Sequence, residues 1–421
     1  MSRLIPVKYH KLNYPFHIET NICEIAGNFD IEKISTNTHY SLHTEYSFGA
    51  RAFCSNVLKH LDNITSAKKN NIPQLWFNRE WAKDFFIFIE LLIGSNKPPE
   101  VLEIHPPFND YCTSFDQFLN IFRVFYDIFK SRFPATTIVI ENRFGTMNKE
   151  GKFLLSTSSD VLKFGEILSN SDIDLKIVLD YPQIFSAIIN EDKEIGMDNL
   201  EGAMEKIESF NEELKKHREV IGGFHMWGKL KKGNRWIPHA GNFDTFFSNN
   251  DDLKHEFLSS VFSTFNDGID RFFVPEVNSG QDDLHSIVAD MEKEGFIFIS
   301  KWCKLKKIKQ EFDSMFSHWG IKLPEYKLEN RESGLIEKSW RIQFCFGKKG
   351  GKEYMDCYCQ HRMTNDRHMR FYEDGTGENL PAYPAFGYMS NPDDPDDKKN
   401  EEEYKKKINE VKKLLSEKGF F

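Results

Sequence analysis

Six short apolar runs in this chain each end on a residue able to hold a metal ion. They are Ser41-Leu42-His43, Val101-Leu102-Glu103-Ile104-His105, Ile138-Val139-Ile140-Glu141, Ile177-Val178-Leu179-Asp180, Gly222-Gly223-Phe224-His225 and Phe273-Val274-Pro275-Glu276. Apolar runs of this length, separated by helical stretches, predict parallel strands buried on both faces. In a (β/α)8 barrel the carboxyl ends of such strands converge on one face, where chemistry takes place. The pattern therefore predicts an α/β fold of the TIM-barrel type, with three histidines and three carboxylates at one mouth. A carboxylate such as Asp180, following Ile-Val-Leu, is costly to ionise in a buried place unless a cation sits beside it, and a bound metal removes that cost.

Strand and helix signals alternate over about 300 residues, as a parallel α/β architecture requires. Helices are expected near residues 50–69, 76–92, 114–132, 158–170, 199–218 and 282–294, and the first strands from Phe16-His17-Ile18-Glu19 and Asn21-Ile22-Cys23-Glu24-Ile25. No glycine-rich phosphate fingerprint follows the early strands, which argues against a dinucleotide-binding fold. Near residue 320 the pattern changes. Trp340–Phe346 alternates, Gly347–Lys352 turns, and Glu353–Gln360 and Arg367–Tyr372 continue an antiparallel meander. We assign residues 1–318 to the barrel and 319–421 to a small α+β domain, with a solvated linker at Pro392–Asp397 and an amphipathic helix over Glu401–Lys418.

Composition narrows the class. Hydrophobic residues make up 40% of the chain and the mean hydropathy is −0.53, values of a soluble globular protein. The apolar stretch Asp84–Gly94 is interrupted by Glu90 and too short to span a bilayer. The first residues lack an apolar leader core, and seven cysteines occur without a Cys-x-x-Cys pair; both point to a cytoplasmic protein. The net charge of −9 is unevenly spread: residues 301–370 carry 16 Lys/Arg against 9 Asp/Glu. A basic appendage on an acidic barrel suits delivery of a polyanion, and equally a solvated lysine-rich helix at Lys301–Lys309.

The order His–His–Glu–Asp–His–Glu resembles the endonuclease IV family of abasic-site nucleases, within the xylose isomerase-like TIM barrels. Ser41-Leu42-His43-Thr44-Glu45-Tyr46 is similar to that family's H-x-x-Y segment, Ile104-His105-Pro106 to its IHP, and Ile140-Glu141-Asn142 to its LEN. Leu179-Asp180-Tyr181-Pro182-Gln183 stands where the family has D-x-x-H, Phe224-His225-Met226 where it has HLN, and Pro275-Glu276-Val277 supplies the last carboxylate. The resemblance implies a first ion on His43, His105 and Glu141, and a second on Glu141, Asp180, His225 and Glu276, with Glu141 bridging. The family's third site departs here: Gln183 replaces a histidine, and Ile237-Pro238-His239 keeps only its histidine. An amide plus one imidazole is a poor site for a dication, so two divalent ions, Zn²⁺ or Mn²⁺, are expected, with Gln183 and His239 the remnants of a third site.

Two ions a few ångströms apart activate a shared water and stabilise an in-line displacement at phosphorus. The resemblance thus implies a metal-dependent hydrolase of endonuclease type acting on DNA, in repair or in defence against foreign DNA, with Glu141, Asp180 and Glu276 as catalytic carboxylates. The basic segment after His225 offers Lys229, Lys231, Lys232 and Arg235 to phosphates, and Tyr46 matches the family tyrosine that enters DNA beside the lesion. Each has a plainer reading, as a mobile basic loop or a packing aromatic. In the carboxy-terminal domain, Trp340, Tyr354, Tyr358 and Tyr372 interleave with Arg341, Arg362, Arg367 and Arg370, a composition that suits a nucleic-acid or protein partner as well as an ordinary half-buried sheet. Two alternatives stay open: a sugar isomerase or epimerase, which needs only the second ion, and a non-catalytic binding subunit.

Overall fold

A computed structural model describes residues 2–299 except 16–17, 19, 37–38, 48–52, 54–55, 145–151, 192–199 and 233–234, together with the backbone of the later strands named below. Eight parallel strands close into a barrel: β1 (Leu4–Lys8), β2 (Ile22–Gly27), β3 (His39–Thr44), β4 (Val101–Ile104), β5 (Thr137–Glu141), β6 (Leu175–Asp180), β7 (Ile221–Met226) and β8 (Arg271–Pro275). Neighbours in sequence are neighbours in the barrel, and β8 closes on β1 through Leu4 opposite Arg271. The fold is a TIM barrel, as the strand pattern predicts. The first strand is Leu4–Lys8, a run the sequence pattern does not single out, while Phe16, His17 and Glu19 lie outside the described residues.

The outer helices follow their caps. Asn78, Ser114, Thr157 and Asn250 each accept a backbone N–H at the start of helices Arg79–Ile93, Phe115–Arg132, Ser158–Ser169 and Asp251–Phe265. The first two of these pack through aromatic rings: Trp76 lies 5.2 to 5.7 Å from Phe85, Phe118, Phe122 and Phe125. Each such fully buried ring contributes roughly 1.5–3 kcal/mol. No helix among the described residues is long and apolar enough to cross a membrane.

The helix expected over 50–69 is not one helix. A 3-10 turn (Asn56–His60), a short helix (Asp62–Ser66) and a small hairpin (Lys68–Lys69 with Ile72–Pro73) stand there. The reason is local: Asn70 and Asn71 both adopt positive φ, 53° and 61°, as a tight hairpin turn demands and a helix forbids. The basic segment after β7 is likewise a hairpin, Lys229–Lys232 paired with Arg235–Pro238.

At the amino-terminal end of the barrel Arg271 is 1% exposed. It pairs with Asp267 at 2.8 Å and donates to the carbonyls of Ile221 and Arg218 at 3.0 and 2.8 Å. By its contacts the chain forms two units, residues 1–15 with 20–299, and the remainder. In the second, strands Leu335–Glu337, Trp340–Lys349, Lys352–His361, Thr364–Tyr372 and Gly377–Asn379 form an antiparallel sheet in chain order. Residues 300–318, the helix expected over Glu401–Lys418 and the linker at 392–397 lie outside the described residues.

Candidate metal centre and its pocket

The carboxyl ends of β3 to β8 bring His43, His105, Glu141, Asp180, His225 and Glu276 together. They fall into two groups: His43, Glu103, His105 and Glu141, and Glu141, Asp180, His225 and Glu276. Within each, one ligand atom per residue lies within 4.8 Å of every other, and Glu141 belongs to both. His105, Glu141, Asp180 and His225 are wholly buried, and Glu103 and Glu276 nearly so.

Glu103 is the member that reading only strand ends passes over. The signal was present, because side chains two apart on a strand share a face, so Glu103 points inward wherever His105 does. Register also sets Glu103 beside His43 on the neighbouring strand. In the first group the Nε2 atoms of His43 and His105 lie 3.1 Å apart. His105 Nδ1 donates to the Glu45 carbonyl at 3.1 Å, which leaves Nε2 as the lone-pair atom, 2.9 Å from Glu141 Oε2. His43 Nδ1 lies 3.3 Å from Glu24 Oε1, a further carboxylate the sequence reading did not single out.

The second group is braced from outside. Gln183 Nε2 donates to Asp180 Oδ2 at 2.7 Å and Glu141 Oε1 at 3.2 Å, while its Oε1 accepts from the Phe144 amide at 2.7 Å. Its amide is thus spent on fixing two carboxylates rather than on ligating a third ion. Trp227 Nε1 donates to Asp180 Oδ2 at 3.1 Å and Arg143 Nη1 to Glu141 Oε2 at 3.1 Å. His239, held at φ 56°, brings Nδ1 to 3.3 Å from Glu276 Oε2 and stacks on Trp227.

The electrostatics are those of a cation site. Burial works against the charged form of His43, yet Glu103 and Glu24 outweigh it and raise the imidazole to about 10. His225 is likewise raised against its burial by Glu103 and Glu276. Asp180 is pushed well up by burial and then by the charges of Glu141 and Glu276. Burial would raise Glu276 too, but His225 draws it down to about 2. Among the described residues several polar atoms here have no hydrogen-bond partner: both ring nitrogens of His225, Glu103 Oε1 and Glu276 Oε2. Buried polar groups are normally satisfied. Nitrogen and carboxylate donors converging with orphaned lone pairs fit a divalent ion such as Zn²⁺ or Mn²⁺.

Beside the second group lies a pocket of about 440 Å³, lined by Arg143, Gln183, Trp227, Lys229, His239 and Phe246 among others. Two of the residues expected at a nucleic-acid surface, Lys229 and Tyr46, are half-buried. Lys229 lines the pocket, and Tyr46 packs on His105 with the Arg143 guanidinium 4.7 Å above its ring. Lys232 is exposed on the hairpin. The side chains of Lys231 and Arg235 lie outside the described residues.

No family model matches this sequence, and no curated protein matches it. Among solved structures the chain is similar to 3-keto-D-glucoside 4-epimerase from E. coli, with 11% identity over 69% of this chain and 99% of that one and a TM-score of 0.35. It is also similar to a probable 3-DHS dehydratase of petrobactin synthesis from Bacillus anthracis (12% identity, 65% and 75% coverage, TM-score 0.30). A third is a xylose isomerase domain protein from Planctomyces limnophilus (10%, 68% and 98%, 0.30).

Proposed function

We propose that this barrel is a divalent-metal enzyme that moves a proton on a small polyhydroxylated substrate, in the manner of a sugar isomerase or epimerase. One observation carries the reading: four side chains of the pocket wall brace the second ligand group, Arg143 at Glu141, Gln183 at Glu141 and Asp180, Trp227 at Asp180 and His239 at Glu276. A substrate held there lies against the residues that brace the second group. Its volume lies within the usual range for small-molecule sites.

A divalent ion in that group would polarise a carbonyl or hydroxyl oxygen of the substrate. The chain's own residues supply the rest. Arg143 and Gln183 hold Glu141 from two sides, and Trp227 and Gln183 hold Asp180, so the carboxylates are fixed in advance. Glu276, whose Oε2 has no hydrogen-bond partner among the described residues, is the carboxylate proposed to take a proton from a substrate carbon or hydroxyl. His239 stands 3.3 Å from that oxygen on the pocket wall and steadies the charge. Trp227 offers a flat apolar wall to the C–H face of a sugar.

The second reading is the metal-dependent phosphodiesterase acting on DNA, with Glu141, Asp180 and Glu276 as catalytic carboxylates. Glu141's membership of both groups favours it, because a bridged ion pair is the arrangement that two-metal displacement at phosphorus needs. One comparison separates the two. The full-length protein with Mn²⁺ or Zn²⁺ is incubated in D₂O with a panel of aldoses, ketoses and their phosphates, and in parallel with abasic and intact oligonucleotides. Carbon-bound deuterium uptake that disappears in Glu276→Gln supports the first reading. Cleavage of an oligonucleotide without exchange into any sugar overturns it in favour of the second.

A further inference from the structure

We infer that the Lys229 end of this pocket is a seat for a phosphate group carried by the substrate; this rests on the reading above, which takes the metal end of the same pocket as the reacting end. Lys229 opens the hairpin after β7, and its Nζ donates to Ser186 Oγ at 2.7 Å. The Ser186 hydroxyl in turn donates to the Pro182 carbonyl at 2.8 Å, so it is oriented to accept from the lysine. The ammonium lies 5.3 Å from the Phe246 ring centre and 5.7 Å from that of Trp227.

What is missing is a counter-charge. Among the described residues no carboxylate forms an ion pair with Lys229, whereas Lys254, elsewhere on the barrel, is held by Asp244, Asp251 and Asp290. Among the described residues the Lys229 ammonium donates to Ser186 Oγ and to no carboxylate. Burial lowers this amine to about 8, with Asp180 only partly opposing, so it remains largely charged near neutral pH. Arg143 adds a second cation to the same lining, itself paired with Glu141 at 3.1 Å. An unpaired charge between aromatic rings is costly, and nothing in the sugar-turnover reading requires it. A ligand anion removes that cost. A lysine acts on such a group as a point charge. A phosphate has oxygens enough to accept from the Lys229 ammonium and from a further donor of the lining together, where a carboxylate has two.

The test uses the full-length metal-loaded protein with inorganic phosphate as the probe. Acylation of Lys229 by an amine-reactive ester is followed by peptide mass spectrometry, with Lys232 as the exposed reference. Phosphate should slow modification of Lys229 at least fivefold and leave Lys232 unchanged. In calorimetry Lys229→Met should weaken phosphate binding at least tenfold and Lys229→Arg should largely keep it, with metal content unaltered in both. Phosphate bound equally well by Lys229→Met would overturn the proposal, since the anion would then sit on the metals. Equal protection by acetate would overturn the choice of phosphate. Metal content distinguishes the two levels: a protein that takes up no divalent ion yet passes the phosphate test refutes the proposed function alone, and one that binds metal but fails it refutes the seat alone.

Discussion

Replacing Glu141 by glutamine strikes the centre at the point its two halves share. Glu103, Glu141, Asp180 and Glu276 supply four carboxylates across the two groups, which balances two divalent cations in a region with almost no exposure to solvent. The amide keeps the shape and removes one negative charge from both groups. Breaking a buried ion pairing by removing one partner costs about 3–5 kcal/mol, which corresponds to a loss of affinity of roughly 10²- to 4 × 10³-fold. Asp180→Asn removes a ligand from the second group alone, whereas Glu103→Gln removes one from the first and also weakens the charge beside His225. Elemental analysis after dialysis against a buffered Mn²⁺ or Zn²⁺ solution reads the stoichiometry, and circular dichroism checks the fold. A metal-loaded wild type at 100 times its Kd gains about 2.7 kcal/mol, so Glu141→Gln should forgo about 5–10 °C of metal-induced stabilisation. One ion kept at wild-type affinity by Glu141→Gln would refute the shared-ligand reasoning.

Three further outcomes follow from particular contacts. Trp227→Phe keeps the aromatic wall but removes the bond to Asp180 Oδ2, so Mn²⁺ affinity of the second group should fall about 10- to 100-fold in calorimetry; an unchanged affinity contradicts the bracing role. Gly228→Ala would set a Cβ 2.4 Å from the Asn242 nitrogen and the Gly241 carbonyl carbon, so the turn carrying Trp227 and Lys229 must shift; a loss of about 1–3 kcal/mol in urea unfolding is expected, and a wild-type midpoint speaks against it. Asp267→Asn leaves Arg271 buried without its partner and should cost about 3–5 kcal/mol with metal content intact. Burial would raise the Asp267 carboxyl, but its bonds from Arg271 and the Ile269 amide hold it at about 2. Its folded pKa being depressed, this stabilisation is present above the unfolded value of about 4 and fades as pH falls toward 2. A urea midpoint of wild type that falls no more steeply than that of Asp267→Asn between pH 4 and 2 would count against the pair.

The order of ligands and the barrel were legible along the chain because both are written in local periodicity. A continuous apolar run declares a strand buried on both faces, and its last residue declares what stands at the mouth. The same period of two, carried one step further, reaches Glu103 from His105. What no run of residues encodes is pairing across strands. Gln183 bracing Glu141 and Asp180, Trp227 bonding Asp180, and Tyr46 lying under Arg143 all depend on which strand ends neighbour one another and how far each side chain reaches. The basic segment shows the limit most clearly. Composition alone makes Lys229 and Lys232 equals, but the hairpin turns one into a pocket, without a carboxylate partner among the described residues, and leaves the other in solvent. Charge is a property of the residue, whereas the energy of that charge is set by the neighbours and the water that tertiary structure leaves around it.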